Sequence, residues 1–427
     1  MVQALIKFAL RNRFIVLLLA GGLFAWGIYA VKQNPVDAIP DLSENQVIVF
    51  TEWMGRSPQL IEDQITYPLV SNLQGIPNIK SVRGTSMFGM SFVYVIFEDD
   101  VDIYWARTRV LERLNYAQRL LPQGITPALG PDGTGVGHVF WYHLDAPKMD
   151  LGEQRALQDW YIKFALQTVP GVSEVASFGG FEKQYQIILD PVKLQFYNIP
   201  LMTVMNKVRA NNNDVGGRKF EMSDMGYVIR GLGYIKSKED VENIALGENN
   251  GVPVRIKDIG SVQMGGDLRL GIVDENGTGE IVGGIVVMRY GQSADKVIKA
   301  VKAKMKEVEK GLPEGVTFKT SYDRSDLIEA AIQTVTGKLK EEMIVVSIVV
   351  LIFLFHWRSA VSIIVQIPIT LSISFILLNA FGLSSNLMSL TGIAIAIGVI
   401  VDNGIIMSEN AYRRLSEWQN SDHPENI

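Results

Sequence analysis

Residues 387–408 run for twenty-two positions with a single charge, Asp402. A membrane-spanning helix needs about 20 largely apolar residues. A carboxylate at the bilayer centre carries a penalty of roughly 2.5 to 3.5 kcal/mol on insertion scales, and chains keep such groups mainly to move ions or protons. This stretch argues against a soluble enzyme and for a transporter in a membrane.

The other apolar stretches fix the topology. Residues 14–31 and 361–383 carry no charge and are long enough to span. Residues 343–355 form a shorter apolar run, which charge placement decides. Lys7, Arg11 and Arg13 precede the first stretch, and Arg413 and Arg414 follow the last. Cytoplasmic flanks are enriched in Lys and Arg, so both ends are cytoplasmic only if the number of spans is even. Arg358 then also falls in a cytoplasmic turn. Four spans are expected, the second extended from about Leu339. Residues 14–31 are longer than a typical signal-peptide core and lack a clear A-x-A site, so they read as an uncleaved anchor.

Residues from about 34 to 338 then lie outside the cytoplasm. They contain no cysteine and are numerous enough to bury a core without disulfides. The net charge of −5 comes with no basic run, which gives no sign of nucleic-acid binding.

This outer region repeats itself. Ile76-Pro77-Asn78-Ile79-Lys80-Ser81-Val82 returns in kind as Val169-Pro170-Gly171-Val172-Ser173-Glu174-Val175, each after a helical segment, 58–73 and 153–168. Leu121-Pro122-Gln123-Gly124-Ile125 returns as Leu312-Pro313-Glu314-Gly315-Val316, each after a strand and a helix (92–97 and 102–120; 284–290 and 294–310). With an opening strand at 46–51, the order is β-α-β-β-α-β, a split βαβ unit. The second copy is interrupted at about 180–279 by an insert with strands at 184–189, 227–232 and 252–256. The insert's turns are expected at Asn211-Asn212-Asn213 and Gly216-Gly217. An insert of that size on one of two repeats reads as a docking module, or else as a decorated loop region.

One entry helix, one span, two such repeats and a run of spans resemble the resistance-nodulation-division (RND) efflux pumps. Residues that carry the likeness to the heavy-metal branch are Asn34-Pro35-Val36-Asp37-Ala38-Ile39-Pro40-Asp41-Leu42-Ser43, Tyr94-Val95-Ile96-Phe97-Glu98-Asp99 and Tyr104-Trp105-Ala106-Arg107. Leu129-Gly130-Pro131-Asp132-Gly133-Thr134-Gly135-Val136-Gly137, Tyr322-Asp323-Arg324-Ser325, Val401-Asp402 and Glu409-Asn410 continue it. The likeness runs collinearly through the chain and is greatest to the copper and silver exporters. Divalent-metal relatives usually carry a second acid six residues before the first, where this chain has Ala396.

The resemblance implies an α+β membrane protein with four transmembrane helices and two ferredoxin-like porter subdomains outside, the second bearing a docking insert. The implied boundaries are 1–33 for the entry segment and first span, 34–133 for the first porter subdomain, and 134–180 with 279–328 for the second. The docking insert is 181–278, and 329–427 hold the remaining spans and tail. The family works as a homotrimer in the Gram-negative inner membrane, with a periplasmic membrane-fusion adaptor and an outer-membrane channel, driven by the proton gradient. Its members have a second half of similar design, so this chain resembles the first two-fifths of a pump. A pump for divalent ions or organic compounds is an alternative. So is a non-transporting docking subunit of a split pump, which the end at Ile427 keeps open.

Asp402 lies roughly 22 Å along the helix from Leu387 and roughly 16 Å from Arg413 at 1.5 Å per residue, and by resemblance it is the proton-relay acid. The alternative is a polar contact between helices, with Asn403. Gly392, Gly398, Gly404, Ala394 and Ala396 keep this helix slim for packing. Thioethers suit soft Cu(I) and Ag(I). Met388 and Met407 match methionine positions of the copper and silver pumps, although nineteen residues apart they cannot share one ion; the alternative is that they fill apolar gaps. Ile400 and Leu268 stand where that pattern tends to have methionine. Met87/Met90, Met202/Met205 and Met222/Met225 form Met-x-x-Met pairs, of which only Met202/Met205 fits a helix face; the resemblance gives none a metal role. His138 and His143 are a remote metal pair, and His356 and His423 have no partner at zinc spacing. No P-loop, dinucleotide fingerprint or Ser-His-Asp set is present, no cofactor is expected, and the metal is cargo.

Overall fold

The computed structural model describes residues 2–222, 224–249, 251–269, 271–354 and 357–419. The chain enters through the Val2–Arg11 helix, breaks at Asn12 and continues as the Arg13–Gln33 helix. Asn12 makes the break, its Nδ2 donating to Phe8 O at 3.1 Å, a local bond that competes with helix continuation. Leu17, Leu18, Phe24 and Trp26 remain exposed around the second helix, as on a helix that is apolar all round.

The first sheet-bearing unit follows: β1 (Gln46–Glu52), β2 (Ile79–Met87), β3 (Met90–Phe97) and β4 (Ala128–Leu129). They form one antiparallel sheet in the order β2-β3-β1-β4. A helical segment over 58–73 joins β1 to β2, and the Ile103–Ala117 helix stands between β3 and β4. Ser57 and Asp102 cap the two helices by accepting from Leu60 N and Trp105 N. Their inward faces, with Ile61, Ile65, Leu69, Val110 and Leu114, close a core over Val47, Val49, Val93 and Val95.

The second unit opens with β5 (His138–Asp145), a helical segment over 151–167 and β6 (Val172–Gly179). Here Asp150 and Glu153 form a reciprocal capping box, which starts the helix two residues earlier than expected. The insert then carries β7 (Lys183–Leu189), the hairpin β8 (Val215–Met222) with β9 (Met225–Gly231), β10 (Ala245–Asn249), β11 (Val252–Arg255) and β12 (Gly260–Gly266). It has its own small core around Val204, Ile256, Ile259 and Val262. The unit resumes with β13 (Val282–Met288), the Ala294–Glu309 helix and β14 (Thr317–Asp323), giving the sheet order β14-β5-β13-β6. In both sheets the unit's own third strand lies between its second and first, and its fourth beside the first.

The repeated turn sequences have a common cause. Asn78 and Gly171, third in the first motif, have φ of 61° and 88°. Gly124 and Gly315, fourth in the second, have φ of 84° and 87°. Each position needs the left-handed region, open to glycine and next to asparagine.

One turn expectation is corrected. Gly216 and Gly217 lie within β8, where the register slips between Gly216 and Lys219. A Cβ on Gly217 would stand 2.5 Å from Ile229 O, so the glycine permits a bulge and close strand contact.

The chain ends in three long helices, Arg324–Leu354, Trp357–Ala380 and Leu387–Gln419. Among the described residues, Arg13–Gln33 and Leu387–Gln419 are long and apolar enough to cross a bilayer, and Val365–Ala380 is a shorter apolar stretch. The 343–355 run falls at the end of Arg324–Leu354; its Phe355 lies outside the described residues. Trp357–Ala380 packs against the other three. It comes close at Gly27, where a Cβ would stand 2.2 Å from Ser372 Cβ, the use of a small residue at a helix contact.

Candidate functional site

The segment that leaves the first long helix is bonded to three separate parts of the chain. Asn34 Nδ2 donates to Ser385 Oγ at 2.8 Å, both residues buried. Asp37 N donates to Ser385 O, Ser385 N to Pro35 O, and Val36 forms a parallel bridge with Ser385. These bonds bind the segment to the turn that launches the Leu387–Gln419 helix. Asp37 Oδ2 accepts from Arg324 Nη1 at 3.3 Å, at the head of the Arg324–Leu354 helix. Arg324 Nη2 also donates to His138 O at 3.2 Å. Asp41 Oδ2 accepts from Thr134 Oγ1 at 2.7 Å. Sequence stretches quoted above as separate motifs therefore meet at one junction.

The glycine-rich stretch 129–137 is shaped by close approach. A Cβ on Gly133 would fall 2.7 Å from Val287 Cγ1 and 2.9 Å from Met288 O. Between these glycines Asp132 clips the two units together. It accepts from Tyr104 Oη at 3.1 Å and, by a short bond, from Ser173 Oγ, with Arg289 Nε at 3.8 Å. Burial pushes the Asp132 carboxyl up, but the hydrogen bonds and the Arg289 charge outweigh it and hold the pKa below the ordinary value.

Beside the junction lies a cleft of about 510 Å3 lined in part by Asp37, Asp41, Met288, Tyr290, Asn386 and Met388. Met388 is 68% exposed. Met288, at the end of β13, is nearly buried and was not singled out in the sequence, because an apolar strand gives no separate signal for a thioether on a cleft wall.

Asp402 lies far from this cleft on the same helix. Fourteen residues separate it from Met388, roughly 21 Å at 1.5 Å per residue. Its side chain is exposed and makes no hydrogen bond or ion pair with other described residues. Met407 is five residues further on and 69% exposed. The structure does not bring Asp402, Met388 and Met407 together. Gly392, expected at a helix contact, opens onto free space.

The histidines do not meet. His143 is buried; its Nδ1 pairs with Ser321 Oγ at 2.8 Å and its Nε2 with Glu275 at 2.9 Å. His138 is exposed on the same strand, and His356 and His423 lie outside the described residues. Among the described residues no group of three or more His, Cys, Asp or Glu side chains is arranged to hold a metal. Met202 and Met205 share the Leu201–Ala210 helix. The other two Met-x-x-Met pairs flank hairpin turns, as Met87↔Met90 and Met222↔Met225.

A model of the AcrB/AcrD/AcrF family matches residues 5–427. The chain is 47% identical over its full length to "Cation efflux system protein CusA" of Escherichia coli, covering 41% of that protein. It is 48% identical over 99% of its length to "Putative cation efflux system protein SilA" of Salmonella typhimurium, again covering 41%. Against "Cobalt-zinc-cadmium resistance protein CzcA" of Cupriavidus metallidurans identity is 37% over 98% of the chain, covering 40% of that protein. A crystal structure of a heavy metal efflux pump superposes with a TM-score of 0.86 at 36% identity, over 96% of this chain and 41% of that one. The chain thus spans about two-fifths of the length of these relatives.

Proposed function

Because the chain belongs to the AcrB/AcrD/AcrF family of RND efflux transporters, with heavy-metal efflux proteins among its relatives, we propose that it forms part of a proton-driven exporter of Cu(I) or Ag(I). The long helices at 13–33, 324–354, 357–380 and 387–419 are its four spans. The two four-stranded units are split βαβ porter subdomains, and β7 to β12 form the docking insert. The pump sits in the inner membrane as a trimer, with a periplasmic adaptor and an outer-membrane channel. Strands β8 and β9, exposed along their whole length, suit contact with another chain.

The observation that carries this reading is Asp402, the one carboxyl within the apolar stretch 387–408 of the Leu387–Gln419 helix, in a chain 47% identical to a cation efflux protein. A carboxyl so placed marks a functional site by default, and proton relays are among the uses of such groups. It takes up a proton from one side, loses its charge, and releases the proton to the other, and the helix settles differently in the two states. The cleft at Met388 lies at the start of the same helix, and the Asn34–Ser385 and Asp37–Arg324 bonds connect that start to the outer units.

Copper or silver is favoured over divalent metals by the higher identity to CusA and SilA than to CzcA, by Ala396 in place of a second acid, and by the soft donors Met388 and Met407. The test is a chimera in which residues 1–427 replace the matching portion of the E. coli relative, scored for silver, copper, zinc and cobalt tolerance. Silver and copper tolerance is expected, with loss on Asp402→Asn at unchanged membrane abundance. Proton-coupled silver efflux that survives Asp402→Asn would sink the relay assignment.

A further inference from the structure

Three thioethers gather at one end of the first sheet. Met87 and Met90 are directly opposed where the β2–β3 hairpin turns through Phe88 and Gly89. Opposed residues of an antiparallel pair share a face, with Cβ atoms about 4.5 to 5.5 Å apart. The turn after β1 folds over this tip: Trp53 N donates to Gly89 O at 2.7 Å and Gly89 N to Arg56 O at 3.0 Å. This brings in Met54, whose Sδ lies 3.0 Å from the point a Gly89 Cβ would occupy. Gly89 has φ of 72°, so the tip both needs a glycine and leaves room for the sulfur.

These methionines are not core packing; Met222 and Met225 are as exposed on their own hairpin, and what sets the Met87–Met90 tip apart is Met54 folded over it. Met305, which fills the second core, is 6% exposed, whereas Met54 and Met87 are 52% and 51% exposed. Met90 is half-buried. A thioether that only fills an apolar gap is turned inward; here Met54 and Met87 are each about half exposed. Charged neighbours include Glu52, opposite Met90 across β1 and β3, and Arg56, which lies over the Trp53 ring at 4.9 Å. Thioethers are poor donors to hard ions and good ones to soft ions.

We infer that Met54, Met87 and Met90 form a capture site for a soft monovalent cation, Cu(I) or Ag(I), outside the membrane helices. As a stop on an export path the site rests on the efflux reading above; as a binding site it stands alone.

The test titrates the 427-residue chain in detergent with Ag(I), beside Met54→Leu, Met87→Leu, Met90→Leu and the triple variant, with Met222→Leu as a hairpin control. Leucine keeps the volume, and circular dichroism checks the fold. The triple variant should lose one bound silver equivalent while Met222→Leu keeps it. Each single variant should weaken the site by about tenfold or more, the scale that loss of even a supporting partner produces at metal sites. Unchanged stoichiometry and affinity in the triple variant overturn the inference. If the chimera exports no silver yet the triple variant loses its equivalent, the efflux reading fails and the site stands. An unchanged titration alongside working export removes the site alone.

Discussion

Arg324 and Asp37 lie 287 positions apart in sequence and 3.3 Å apart in space, and both side chains are largely shielded from water. The pair joins the chain's exit from its first long helix to its entry into the second. Breaking a buried pair leaves one charge without its partner and is expected to remove roughly 3 to 5 kcal/mol. Arg324→Met should therefore lower the unfolding midpoint in detergent strongly. Arg83→Met, which removes an exposed pair with Glu44, should change it by less than about 1 kcal/mol.

Gly27 sets the spacing of two long helices. Gly27→Leu must displace Ser372, whose Cα would lie only 2.6 Å from the new Cβ. A loss of about 1 to 3 kcal/mol is expected from such overpacking. Gly21→Leu, with nothing within 4 Å, should leave thermal stability in detergent unchanged.

Asp132 and Asp323 predict the acid limb of stability. Burial pushes the Asp323 carboxyl up, but Lys302 and Ser325 outweigh it and hold it below its ordinary value of 3.8, as the partners of Asp132 do there. A folded-state value below the unfolded one means that the stabilisation is complete above 3.8 and fades as pH falls through the folded value. Melting temperature should be level near neutral pH and fall below pH 4. Asp132→Asn should melt lower at neutral pH and lose less on acidification.

Tyr142 offers a probe of the second core. Its side chain is buried and its phenol donates to Gln158 Oε1 at 3.0 Å; burial drives its ionisation far above the usual tyrosine range. In an alkaline titration followed by ultraviolet absorbance, the wild type should ionise one tyrosine only as the fold is lost. Tyr142→Phe should abolish that late step and destabilise by about 1 to 3 kcal/mol, because Gln158 keeps a buried acceptor without its donor.

Much of this architecture was legible in the order of residues. The two Pro-containing turn motifs marked the repeat because a left-handed backbone at Asn78, Gly171, Gly124 and Gly315 restricts what can stand there. The long apolar runs marked the helices because uncharged runs of that length outlast any ordinary strand. Gly216-Gly217 misled, since glycine serves a bulge as readily as a turn. The site was less legible. Asp402 stood out as a lone charge, but nothing in the sequence placed Met54 over the Met87–Met90 hairpin, or turned His143 toward Glu275 and away from His138. Those meetings depend on strand register and on which turn folds over which.

The segment 34–41 behaves mechanically as a tie rod. It is fastened to Ser385 before the last helix, to Arg324 at the head of another, and to Thr134 between the two sheet-bearing units. An axial slip of the last helix by one residue, about 1.5 Å, exceeds the play of a hydrogen bond. Such a slip must either snap the Asn34–Ser385 fastening or drag the rod with it. Dragging the rod would convert a small stroke of that helix into a shear between the two four-stranded sheets.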